Sequence, residues 1–178
     1  MDVTQSTLHH NAYVCRDLEA IREFYEDVIG YPLVATWAER TDLFGKVRTY
    51  AHCFFDIGDG GCLAFFQFAD EADAQEFGPE LQPSGFRHLA MKVDQPTQDA
   101  INERLTKAGY FETGQAYPLN HGYCWSTYCF DPSGMLIEFT VDHDDVENIN
   151  KNKAATAHAD LKQWLAGDYT PNNEQFHR

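Results

Sequence analysis

His10, His88 and Glu138 are the residues of this chain best placed to do chemistry together, because they occupy comparable places in two similar stretches of sequence. Two neutral imidazoles and one carboxylate form a donor set for a divalent metal such as ferrous iron, and they leave neighbouring coordination positions open. Glu138 sits in the apolar run MLIEFTV, where a carboxylate is costly to bury without a metal or a donor beside it. Taken alone, His10 or His88 would read as a structural histidine; their repeated placement is what points to shared ligation.

The elements that must position these residues repeat as well. LHHNAYVC predicts a strand, and Asp17 closes it and can cap a helix over DLEAIREFYEDVIG. There Leu18, Ile21, Phe24 or Tyr25 and Val28 recur at helical spacing, and Gly30 supplies the stop. PLVATWAE, VRTYAHCFFDI and GCLAFFQF predict three strands, the last two joined by a tight turn at 58–61. After the acidic stretch DEADAQEFGPELQPSG, read as irregular or briefly helical, the order restarts. FRHLAMKV predicts a strand and TQDAINERLTKAG a helix ending at Gly109, followed by YFETG, CWSTYCF and MLIEFTV as strands, with a turn at Asp131-Pro132-Ser133-Gly134.

The expected fold class is therefore α+β, a single domain over residues 1–145 made of paired strand-helix-three-strand modules at about 8–69 and 85–141. In the 146–178 tail, ATAHADLKQWLAG predicts a short amphipathic helix through Leu161, Trp164 and Leu165, packed on a subunit neighbour or on its own core. NNEQFHR at the end is expected to be mobile.

Composition narrows the partners. Twenty-eight acidic residues against thirteen Lys plus Arg give a formal charge of -15, which argues against a nucleic-acid backbone or an anionic membrane. With no apolar run of bilayer length and no signal-like start in MDVTQSTLHH, a cytoplasmic location is expected. Cys15, Cys53, Cys62, Cys124 and Cys129 are odd in number and lack a CxxC pair, so buried free thiols are expected rather than disulfides or a thiolate zinc site.

HHNAYVCRDLEAIREFYEDVIGYPL, FRHLAMKV and YCFDPSGMLIEF together resemble the vicinal oxygen chelate superfamily, which includes glyoxalases, epimerases, antibiotic-resistance proteins and extradiol dioxygenases. The resemblance covers roughly residues 8–141 and implies a cupped mixed sheet around a metal site, with His10, His88 and Glu138 as ligands and His9 on the opposite strand face. Glyoxalases and epimerases use a fourth protein ligand on the last strand of the first module, where Ala64 and Phe65 stand here; a register change would let the Gln67 carbonyl oxygen serve instead.

HGYCWSTYCFDPSGMLIE resembles the extradiol dioxygenase signature, with His121, Tyr128, Asp131, Pro132, Gly134 and Glu138 in order, although Thr127 and Leu119 depart from it. That likeness implies Fe(II), with Zn, Mn, Ni or Co as alternatives, and a catechol-like diol and O2 as small-molecule partners. His121 would position or protonate an oxygen intermediate, Tyr128 would bind a substrate oxygen, and His52 would act as a base toward the diol. Phe65, Phe66, Phe68 and Trp125 would line an aromatic pocket. Extradiol cleavage is the leading function. A glyoxalase- or epimerase-like lyase or isomerase that moves a proton beside a carbonyl, or a non-enzymatic binding protein, are the alternatives. A homodimer is implied, with the site either inside one chain or shared between two.

Overall fold

Strand pairing divides the chain into two like halves. The computed structural model describes residues 6–78 and 84–172. The first half runs β1 (His10–Val14), α1 (Leu18–Arg22, continuing as a π-helical segment over Glu23–Ile29), β2 (Leu33–Leu43), β3 (Lys46–Asp56) and β4 (Cys62–Phe68), then a short α2 (Glu71–Phe77). The second runs β5 (His88–Lys92), α3 (Gln95–Lys107), β6 (Ala116–Asn120), β7 (Cys124–Phe130) and β8 (Leu136–Asp142), followed by α4 (Val146–Leu165). Each half closes its own four-stranded mixed sheet, in the orders β1-β4-β3-β2 and β5-β8-β7-β6. Only β1 with β4 and β5 with β8 are parallel, as a strand-helix crossover requires.

The local signals for α1 hold at both ends. One Asp17 carboxylate oxygen accepts the Glu19 and Ala20 N–H groups at 3.0 Å each, and Gly30 stops the helix at φ +95°. Its second half is wound wider than an α-helix, with the Gly30 and Tyr31 N–H groups both donating to the Tyr25 carbonyl. The adjacent rings of Phe24 and Tyr25 are both buried.

The segment YFETG is not a strand. The Tyr110 N–H donates to the Leu105 carbonyl, and the Thr113 hydroxyl donates to the Gly109 carbonyl. Tyr110 and Phe111 thus pack their rings on the core as turns that extend the end of α3, and the strand begins only at Ala116. The tail helix α4 is longer than its apolar pattern suggests and has no fully buried residue, Val146 and Ile149 being half-buried. All but the first residue of NNEQFHR lies outside the described residues.

One core serves both halves. Phe55, Leu63 and Phe65 from the first sheet and Met91, Ile137 and Phe139 from the second join Ile21, Phe24, Ile101 and Leu105 of the helices in a single cluster. Polar ties cross the same seam. Arg104 Nε donates to the Val28 carbonyl at 2.6 Å, and the buried Tyr25 hydroxyl donates to Asp131 Oδ2 at 2.8 Å. Asp131 Oδ1 accepts from the Ser133 and Met135 N–H groups and the Ser133 hydroxyl, fixing the turn before β8. All five cysteines are free thiols, Cys62 alone of them being only half-buried.

Burial holds the Asp131 carboxyl above the usual carboxylate range, against the lowering effect of its hydrogen bonds from Ser133 and Tyr25. A raised carboxyl pKa gives stability that is present below the unfolded value and lost as pH rises through the folded one. Tyr25→Phe removes one of the lowering donors and leaves Oδ2 without its partner. The variant should lose about 1–3 kcal/mol of unfolding free energy, with a larger loss at pH 7 than at pH 4, as read by denaturant titration at the two pH values.

Candidate metal centre

Pleat alternation sorts each strand into a face toward α1 and α3 and an opposite, open face. On the first sheet the pairings His52 with Phe66, Phe54 with Ala64 and Ala12 with Ala64 put these residues on the face that carries His10. On the second, Ala90 and Tyr128 both pair with Glu138, and Tyr117 pairs with Tyr128, so Glu138, Tyr128 and Tyr117 share the face that carries His88.

The second half assembles most of the expected chemistry. His88 Nε2 lies 3.0 Å from Glu138 Oε2, with the histidine 31% and the carboxylate 8% exposed. The Ser126 hydroxyl donates to Glu138 Oε1 at 2.5 Å and lies 3.1 Å from the Thr140 hydroxyl. His121 Nε2 is 3.0 Å from the Tyr128 hydroxyl and 3.9 Å from Glu138 Oε1. The Tyr128 ring stands edge-on to His88 and stacks on Tyr117. Burial first, and then the negative charge of Glu138, raises the Tyr128 phenol well above its ordinary value. It is therefore a proton donor at neutral pH.

The first half presents three more imidazoles, those of His9, His10 and His52. His10 Nδ1 lies 2.7 Å from His9 Nδ1, so His9, expected on the opposite face, instead meets His10 edge to face just ahead of β1. A regular strand would have separated them, but His9 precedes the first paired residue and is free of the alternation. With the shared proton on His10 Nδ1, the Nε2 lone pair of His10 is left available to a metal. The His52 ring is 6.2 Å from His10 and stacks at 3.5 Å on Phe66. Its Nε2 is buried without a hydrogen-bond partner among the described residues. Burial, then the neighbouring His10, lowers the His52 pKa and favours the neutral base.

Gln67 stands elsewhere. It lies on the helix side of β4, where its Oε1 accepts the Leu18 N–H at 2.8 Å; the register partner of His10 on β4 is Cys62. Phe66 and Phe68 are on the open face, whereas Phe65 is in the core. Trp125 pairs with Asn120 and Val141 and belongs to the helix side of β7. Ser126 and Cys62 escaped the sequence reading, although counting by twos from Tyr128 and from Phe66 reaches both.

Within one chain the three expected ligands do not converge. His10 is on the first sheet and His88 and Glu138 on the second, and among the described residues no group of three or more His, Cys, Asp or Glu side chains is placed to hold one metal ion. Of the three, His88 and Glu138 are adjacent.

The chain matches the family model described as Glyoxalase/Bleomycin resistance protein/Dioxygenase superfamily over residues 7–139. No curated protein matches it. Among solved structures it is similar to the fosfomycin resistance protein FosX from Mesorhizobium loti, at 24% identity over 76% of this chain and 91% of that one, with a TM-score of 0.50. FosX from Listeria monocytogenes complexed with Mn(II) and sulfate is 15% identical over 81% and 95% of the two chains, with a TM-score of 0.53. A glyoxylase/bleomycin resistance protein/dioxygenase domain from Frankia sp. EAN1pec is 18% identical over 80% and 95%, with a TM-score of 0.55.

The hydrogen bond from Ser126 orients one Glu138 oxygen and leaves the other beside His88. Ser126→Ala should therefore weaken retention of a divalent metal about 10- to 100-fold, measured by competition with a chromophoric chelator, while the melting profile stays close to that of the parent.

Proposed function

The chain belongs to the Glyoxalase/Bleomycin resistance protein/Dioxygenase superfamily, and on that footing we propose that it is a metal-dependent enzyme that cleaves a catechol-like diol by the extradiol route. The observation that carries this reading is the grouping of His88, Glu138, His121 and Tyr128 on one open sheet face. The residues fit a metal in one respect above all: Glu138 is a nearly buried carboxylate whose side facing His88 meets an imidazole rather than a fixed cation. A divalent ion held by His88, Glu138 and His10 would supply positive charge and adjacent positions for two diol oxygens and O2, Fe(II) being the metal of this reading.

The side chains around that set have separate tasks. Tyr128, kept protonated, donates to a substrate oxygen and opposes its displacement by water. His121, hydrogen-bonded to that phenol, returns or removes a proton through it. His52, held neutral and with its Nε2 unpaired among the described residues, accepts the proton of the diol. Both atoms of O2 end in the ring-opened product, so the reaction calls for no external reductant.

We further propose that the centre is assembled by two copies of the chain, His10 of one meeting His88 and Glu138 of the other. The separation of the ligands onto different sheets supports this. So do the large apolar side chains left uncovered on both open faces, Trp37 beside His52 on the first and Leu119 beside Ser126 on the second. A lyase or isomerase of the glyoxalase or epimerase kind is the second reading, favoured by the lone His52 base, which could move a proton beside a carbonyl with Zn, Mn, Ni or Co in the centre.

The deciding experiment is O2 uptake by anaerobically Fe(II)-loaded protein given substituted catechols, read together with ring-cleavage absorbance. Coupled signals are expected; silence from fully metallated protein would overturn the extradiol reading and favour the second one, or binding alone. Mixing tests the shared centre. His10→Ala and His88→Ala should each be inactive, whereas refolding them together should restore about a quarter of the parental rate, half the dimers being mixed with one of two sites intact. A centre contained in one chain predicts no recovery.

A further inference from the structure

The hairpin joining β2 to β3 turns on two residues, Phe44 and Gly45, between the paired Leu43 and Lys46. Both have positive φ, +57° for Phe44 and +80° for Gly45, the geometry of a type I′ turn that favours Asn-Gly. A phenylalanine in the left-handed region is strained, and this one is also 85% exposed. Neither backbone preference nor core packing explains it.

What Phe44 does touch is Phe77 of α2, stacked at 5.8 Å, and beneath the two lies a cavity of about 390 Å³. Phe44, Phe66, Phe68, Phe77, Tyr50 and Ala12 are among the residues that line it. Helix α2 closes against β1 so tightly that a Cβ on Gly78 would stand 2.4 Å from Val14 Cγ1. The hairpin is tied to the same helix. Lys46 Nζ reaches Asp73 Oδ1 at 2.5 Å, and the buried Arg48 bonds Asp73 at 3.1 Å and Glu76 at 2.9 Å and accounts for the Leu43 carbonyl. Phe44 is thus held over the cavity by a charged clamp. Lys46 and Arg48 are both paired with carboxylates in that clamp, and the pocket lining itself carries no charged side chain among the described residues.

The pocket lies on the same sheet face as His10 and His52. Ala12 and Val14 follow His10 along β1 on the same face, about 7 and 13 Å away at strand spacing, and Phe66 carries the stacked His52. We propose that this cavity takes an uncharged aryl substituent, a second ring carried by the vicinal diol, and that Phe44 is its lid and a specificity-determining residue. The inference rests on the reading of His10 and His52 as part of the reacting site, but the pocket itself can be tested without metal.

The probe is 2-naphthol, which has the second ring and no vicinal diol, titrated calorimetrically into metal-free protein with phenol and propylphosphonate as comparisons. Naphthol should bind at least tenfold more tightly than either. Ala12→Leu, which adds bulk to the lining, should weaken naphthol about tenfold. Phe44→Asn should raise the melting temperature by about 2–4 °C by relieving the turn while weakening naphthol severalfold, a split that a merely structural residue would not produce. Lys107→Ala, at the exposed end of α3 and outside the pocket, should leave naphthol binding unchanged. No saturable naphthol binding, equal affinity in the parent, Ala12→Leu and Phe44→Asn proteins, or tighter binding of propylphosphonate would overturn the pocket. If naphthol behaves as expected but no diol is turned over by metallated protein, the pocket stands and the extradiol reading alone fails.

Discussion

The shared apolar core commits one face of every central strand, and the rest of the molecule follows from that commitment. Each Phe, Leu or Ile taken out of water there contributes about 1.5–3 kcal/mol, and Phe55, Leu63, Phe65, Ile137 and Phe139 are fully buried together. A slip of one residue in any of these strands would turn the whole set toward solvent. Register is therefore pinned by packing. Because side chains alternate, His10, His52, His88, Tyr128 and Glu138 are delivered to the opposite faces with no further instruction.

Against that background the polar groups fall into two kinds. Asp131, Tyr25 and Arg104 are structural: each buried polar group has partners inside the fold, and together they lock the helix of one half to the turn of the other. Glu138 and His52 are different. Glu138 is nearly buried, yet one of its oxygens lies beside an imidazole and no Lys or Arg pairs with it among the described residues. The His52 ring nitrogen meets nothing within hydrogen-bond reach among the described residues. Groups in such a condition in a packed protein call for an explanation that fold stability does not supply.

The hairpin tip and helix α2 show the same division at larger scale. A charged clamp through Arg48, Asp73 and Glu76 spends buried polar groups to hold an exposed, strained phenylalanine in place. The outer helix α4, with Leu161, Trp164 and Leu165 uncovered, leaves apolar surface on the opposite account, as do Trp37 and Leu119 on the open faces. These side chains stay uncovered although the core of the same chain is completely buried.

Much of this was legible in the sequence because it is local. The Asp17 cap, the Gly30 stop, the buried thiols and the repeated order of elements depend on residues a few positions apart, and they appear in the fold as expected. The grouping of His88, Glu138, His121 and Tyr128 was also readable, since strand alternation over a short hairpin preserves it. YFETG misled because aromatic residues suit a turn packed on a helix end as well as a strand. His9 misled because alternation holds only inside the paired strand, and Gln67 because a polar side chain beside a helix start can satisfy a backbone N–H as readily as a metal. The sequence by itself determined the elements and which side chains share a strand face. Only the tertiary structure decided that His10 lies on a different sheet from His88 and Glu138, because the distance between two sheets is set by how their helices pack in one core, and no spacing along the chain encodes it.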